Sequence, residues 1–383
     1  MEGTSLSNTR VLLLVLAMLT MLSTVAMARS KKTHTQQVPC FFIFGDSLVD
    51  NGNNNHILTL ARANYLPYGI DFPLGVSGRF TNGRTVALRV FVLVIHSTTT
   101  RVSRVHSAIR DGAKKTSSSR LEFRVGGVGN QRRNWVQLEH FRGAVEIMKS
   151  IFKGNTTKLA THLSKCIYYS GMGSNDYLNN YFMPFFYPTS YFYNPEVFAE
   201  LLLQDYSQQL RVSIGYISSK SRKSGTVRPL TFSVGRIGCI PYELARYNNR
   251  NYDGNGDRCN EEINEAISIF NAGLVRMVTE FNAALHGAKF VYVNTYDSLK
   301  DLTTNAVSYG FSVINRGCCG VGRNNGQITC LPLQNPCGDR SKYLFWDAFH
   351  PTEAGNLIYA MKAYNSTSTA DVYPMNLRQL AAA

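Results

Sequence analysis

Short apolar runs that end in Gly, Ser or Asn turns, separated by long stretches of helical spacing, leave this chain few architectures. The runs "FFIF" (41–44), "CIYYSG" (166–171), "RPLTFSV" (228–234) and "AKFVYVNTY" (288–296) are rich in β-branched and aromatic residues and read as strands. Between them, 195–220 and 261–285 place apolar residues at i, i+3 and i+4 and read as amphipathic helices. Strand and helix in alternation predict an α/β fold with a central parallel sheet covered on both faces. In such a sheet the turns after the strands gather at one edge, where ligands bind. At 383 residues, with 44% hydrophobic and 17% charged residues and no internal repeat, one domain over 29–383 is expected.

Residues 1–28 read as an export signal: Arg10 precedes the apolar run "VLLLVLAMLTMLSTVAM", and the small residues Ala26 and Ala28 suit cleavage after Ala28. A single-span anchor is the alternative for that run. Export to the cell exterior or wall makes the eight cysteines readable as disulfide formers. Cys318, Cys319, Cys330 and Cys337 cluster late, and Cys239 and Cys259 flank a Gly/Asn-rich loop. The Cys-x-x-Cys pairs of common zinc sites are missing from these spacings, so no metal or cofactor is expected. Asn155 and Asn365 begin glycosylation sequons.

The net charge of +15 raises the question of a nucleic-acid partner. Its distribution argues against one. Between Leu88 and Trp135 lie ten basic residues against Asp111 and Glu122, so this one stretch supplies +8 of the total. It has no interleaved aromatics to stack bases and no recognisable binding motif.

Three segments carry chemistry. In "FFIFGDSLVDNGNNN" Ser47 follows a strand and a Gly-Asp turn, the place of a nucleophile or of a capping serine. In "SGMGSNDYLNNYF" Asn175 and Asp176 follow another strand; an amide there can stabilise a developing oxyanion, or simply serve a turn. In "YLFWDAFHPTEAGN" Asp347 precedes His350 by three residues, so one turn can set the carboxylate against the imidazole. Pro351 then suits the first position of a following helix, and Glu353 its positive end.

Taken together with "GRFTNGRT" and "VGRIGCIPYE", these segments resemble the plant GDSL esterase/lipase family of the SGNH hydrolase superfamily over residues 39–87 and about 137–375. The resemblance implies a flavodoxin-like three-layer α/β/α sandwich and a monomeric, secreted serine esterase acting on acyl or acetyl esters. Ser47 would be the nucleophile, His350 the base and Asp347 its orienting carboxylate. The amide of Asn175 and the backbone N–H of Ser47 would be oxyanion donors, with Gly173 shaping the Asn175 turn. An acyltransferase would use the same residues. A non-catalytic wall or carbohydrate-associated protein would keep the fold alone.

One family block is missing. Between "NGRTVA" and "HFRGAVEIM" the family has an Asn-Tyr/Phe-Ala-Ser-Gly segment whose glycine amide is a third oxyanion donor; this chain has the basic stretch 88–136 instead, where only Gly126, Gly127 and Gly129 could offer one. The genetic code suggests a cause. "GNQRRNW" can be encoded as GGG AAT CAG AGA CGA AAC TGG, and read one nucleotide later the string gives Gly-Ile-Arg-Asp-Glu-Thr and then glycine. The same shift over "EFRVGG" permits Asn-Phe-Ala-Ser-Gly-Ala. An out-of-frame stretch was never selected to pack, so 88–136 is expected to be exposed or disordered; a genuine basic insertion is the alternative.

Overall fold

A computed structural model describes residues 38–56, 58–95, 130–220, 226–247 and 259–383. The expected leader (1–28), the glycines Gly126, Gly127 and Gly129, and residues 96–129 of the basic stretch lie outside the described residues.

The main sheet has the order β1 (Phe41–Gly45), β2 (Ile167–Gly171), β3 (Arg228–Phe232), β4 (Val291–Val293) and, numbered past a separate pair, β7 (Val372–Tyr373). The first four run parallel, as expected, and β7 adds an antiparallel edge. The pair β5 (Val313–Gly317) and β6 (Tyr343–Phe345) forms a second, small parallel sheet that leads into the histidine segment.

Adjacent side chains of a strand point to opposite faces, and β1 shows what each face meets. Phe41 packs edge-on against Phe91 of helix α1 (Val86–Ile95), whereas Phe42 packs against Phe141 of helix α2 (Asn130–Ile151). After the short α3 (Thr156–Ser164), the long helices α4 (Pro195–Lys220) and α5 (Glu261–Ala284) pack on one another, and α4 also packs on α2. On the α1 side lies α7 (Glu353–Asn365), packed on α1 and touching α6 (Thr295–Thr304). The result is the three-layer α/β/α arrangement that the alternation predicts.

Three details differ from the sequence reading. The strand expected over 288–296 is confined to Val291–Val293, because the Asn294 side chain accepts from Asp297 N and starts α6 at Thr295. Pro351 is not the first residue of α7: Thr352 caps that helix through Gly355 N, and Pro351 bridges to Phe345 instead. Residues 88–94 are not an exposed stretch. Val86, Val90 and Val94 recur every four residues and are buried along one side of α1, and Arg89 meets Glu353 at 2.7 Å.

All eight cysteines are in disulfides: Cys40–Cys166, Cys239–Cys259, Cys318–Cys337 and Cys319–Cys330. No thiolate is left to ligate a metal.

β1 is half-buried where β2 is almost fully buried. Along its outer side the Gln137 side chain accepts from Gly45 N at 3.0 Å and donates to Gly45 O at 2.8 Å. No strand pairs with that side among the described residues.

Candidate active site

The turn after β1 is set by its first residues. Val49 N donates to Asp46 O at 3.2 Å and Leu48 N to the Asp46 carboxylate at 3.0 Å, so Ser47 sits at the outside of a tight turn. A side chain on Gly45 would meet Val49 Cγ2 at 2.6 Å, so the turn folds back only because that residue is glycine. Gly45 is in register with Gly171 on β2, which puts the following loop beside it. There Gly173 takes φ +116°, and a Cβ on it would lie 2.8 Å from Val234. The next turn carries Asn175, whose Oδ1 accepts from Asn179 at 2.7 Å. With its oxygen anchored, the amide is left its NH₂ end to donate.

The histidine comes from the other end of the chain. After β6 the backbone turns so that Phe349 N and His350 N both donate to Asp347 Oδ1, at 2.9 and 2.8 Å. Trp346 N donates to His350 O at 2.7 Å and closes the turn. His350 Nδ1 lies 2.8 and 2.9 Å from the two carboxylate oxygens, and Nε2 lies 2.7 Å from Ser47 Oγ. A carboxylate accepts only, so Nδ1 carries the proton and Nε2 is free to accept the serine's. Asp347 is wholly buried and His350 nearly so. Burial alone would raise the Asp347 pKa, but the nearby imidazole, the Tyr68 hydroxyl and Phe349 N–H outweigh it and hold the carboxyl below its ordinary value of 3.8.

The motif "GRFTNG" pins this segment in place. Thr81 O accepts from Gly69 N at 2.9 Å, the Thr81 hydroxyl donates to Pro351 O at 3.0 Å, and Asn82 Oδ1 accepts from Glu353 N at 2.8 Å. Phe80 lies against the imidazole at 5.0 Å between ring centres.

Ser47, 303 positions from His350, thus forms one continuous hydrogen-bonded line with His350 and Asp347, and Asn175 leaves the neighbouring strand at the same edge. Such a line can move a proton from a hydroxyl to an imidazole while a carboxylate steadies the cation. A family model of GDSL-like lipases and acylhydrolases matches residues 41–363, a span that holds all four residues. The chain belongs to that family. Among its relatives, GDSL esterase/lipase At1g33811 of Arabidopsis thaliana is 52% identical over 357 residues, covering 92% of this chain and 93% of that protein. Two others from the same plant, At4g18970 and At5g45670, are 42% identical over 372 residues and 43% identical over 358. They cover 93% and 90% of this chain, and 96% and 92% of their own lengths.

In this family member two further groups reach the line. Tyr68 OH donates to Asp347 Oδ2 at 2.6 Å, and the Thr329 hydroxyl lies 3.2 Å from the same oxygen. Sequence reasoning missed both. Tyr68 is 279 residues from Asp347, and nothing local to "PYGIDF" marks a buried hydroxyl. Gly126, Gly127 and Gly129, the sequence's only offers of a third donor in that region, lie outside the described residues.

Proposed function

We propose that this chain is a secreted serine hydrolase that cleaves carboxylic esters with an apolar acyl part. His350 Nε2 takes the Ser47 proton, Oγ attacks the ester carbonyl, and the alcohol leaves with that proton. Water then repeats the sequence on the acyl-enzyme. Asn175 and the Ser47 N–H meet the oxyanion in both halves. The observation that carries the reading is the 2.7 Å contact from Ser47 Oγ to His350 Nε2, backed by a buried Asp347. The names of the relatives, esterase/lipases, support the ester as substrate. Four disulfides suit an oxidising compartment and support export. Among the described residues no helix is long and apolar enough to cross a membrane.

The acyl preference comes from the segment after Asn175. Residues 182–195 contain no charged side chain, and Phe185, Phe186, Tyr191 and Phe192 are exposed there. These exposed, uncharged aromatics, which follow Asn175 in sequence, offer an apolar surface to an acyl chain. A serine-directed fluorophosphonate should label the peptide that carries Ser47, and p-nitrophenyl esters should be cleaved faster as the acyl chain lengthens beyond acetate. An unlabelled, folded protein overturns the assignment; a preference for acetate overturns the acyl class.

Asn175→Ala tests the oxyanion role. Its amide would bind charge that exists only in the transition state, so kcat should fall by about 10²–10³ with KM little changed. A change confined to KM would make Asn175 a substrate-positioning group.

The basic stretch bears on rate. If it is out of frame, the chain as written lacks the glycine donor of the family block, and a version read in the shifted frame should turn over about 10²–10³ faster. Tryptic peptides matching "VGGVGNQR" from a folded protein of full activity would refute the shift.

A further inference from the structure

Asp347 divides its hydrogen bonds unevenly. Oδ1 takes both backbone N–H groups of its own turn, whereas Oδ2, apart from the imidazole, meets only Tyr68 and Thr329 among the described residues. From the Oδ2 side, we propose that Tyr68 is a positioning residue of the ester-cleaving site, and that with Thr329 it holds the carboxylate in line with His350 and takes a share of its charge. This rests on the serine-hydrolase reading above.

Tyr68 is built for the task. Its ring is 1% exposed and packs edge-on against Tyr65, Phe80 and Trp346. Its hydroxyl also lies 3.0 Å from Thr329 Oγ1, so phenol, threonine and carboxylate form a closed triangle. Thr329 is fixed in turn, since the next residue, Cys330, is bonded to Cys319 and its carbonyl accepts from Tyr65 OH at 2.9 Å. Burial, reinforced by the Asp347 charge, keeps the Tyr68 phenol protonated far above neutral pH, so it stays a donor. Tyr65 is pushed in the same direction by burial and then by Asp347. The carboxylate and imidazole are thus met by the neutral Tyr68 phenol and by the Thr329 and Ser47 hydroxyls, with the neutral Tyr65 phenol close enough to feel the Asp347 charge. Taking the phenol's proton away from Oδ2 leaves more negative charge on the carboxylate, and that charge favours the protonated imidazole.

The test is Tyr68→Phe in the full chain, which keeps the ring and removes only the hydroxyl. The expected result is a fall of about 10-fold in kcat with KM unchanged, and an acid limb of kcat/KM moved up by about half a pH unit. The rate of fluorophosphonate labelling against pH should move in the same way, and it reads serine activation even if turnover is slow. Thr329→Val, acting on the same oxygen, should shift the limb in the same direction by less. Two outcomes overturn the inference: a pH profile and kcat equal to the parent's, or a lower kcat whose acid limb has not moved. A parent protein that takes no label would refute the serine-hydrolase reading instead, so the two failures are distinguishable.

Discussion

Replacing Ser47 by alanine should lower kcat on the order of 10⁶-fold, the scale seen when a serine hydrolase loses its nucleophile. The change deletes one oxygen. His350 Nε2 then has no hydroxyl 2.7 Å away to deprotonate, and the covalent route closes. What remains is binding and the oxyanion donors acting on water. The protein should stay folded, because Ser47 is only half-buried and the Asp46–Val49 turn is held by the Asp46 carboxylate and backbone rather than by the serine side chain. Steady-state rates on a p-nitrophenyl ester, beside a thermal melt of both proteins, make the measurement. Turnover within tenfold of the parent would remove Ser47 from the mechanism.

Asp347→Asn should cost about 10⁴ in kcat while leaving KM nearly unchanged, by analogy with the same exchange in a serine-protease triad. The reason lies in the donors around this carboxylate. Oδ1 faces two backbone N–H groups, so the asparagine oxygen must stay there and the NH₂ must take the place of Oδ2. It would then bring a donor to the Oδ2 position, 2.9 Å from His350 Nδ1, in competition with Oδ1 at 2.8 Å, and so favour the tautomer whose proton is on Nε2. A protonated Nε2 cannot accept from Ser47. In the parent, activity should rise with pH, because only an unprotonated Nε2 can accept from Ser47. Because the Asp347 carboxyl is held below 3.8, it stays ionised across that rise, so the acid limb reports the base alone. An Asp347→Asn protein as active as the parent would mean that another carboxylate orients His350.

The parts of this site that were legible in the sequence are those with a local signature. Ser47 and Asn175 each follow an apolar run and a glycine turn, and parallel pairing of β1 with β2 brings the two turns together. Asp347 and His350 are three residues apart and meet through their own turn. What was not legible depends on contacts that only folding makes. Tyr68 and Thr329 arrive at Asp347 from separate loops, and hydroxyls carry no spacing rule. In "AKFVYVNTY" the pattern suits a strand throughout, and a single side chain, that of Asn294, decides that a helix begins instead. Valines at 86, 90 and 94 could be read as strand formers or as one helical side, and the basic residues around them concealed the second reading.

Cys40–Cys166 joins the residue before β1 to the residue before β2, across 126 positions. The strand that leads to Ser47 is thereby tied to its neighbour at the end opposite Ser47 and Asn175, and in the chain-entropy picture a loop of this length is worth roughly 4–5 kcal/mol against unfolding. The whole crossover between those strands, including 96–129, lies inside the covalent ring. A protease cut anywhere within it would therefore release nothing: Ser47 and His350 would remain on one molecule until a reductant parted them.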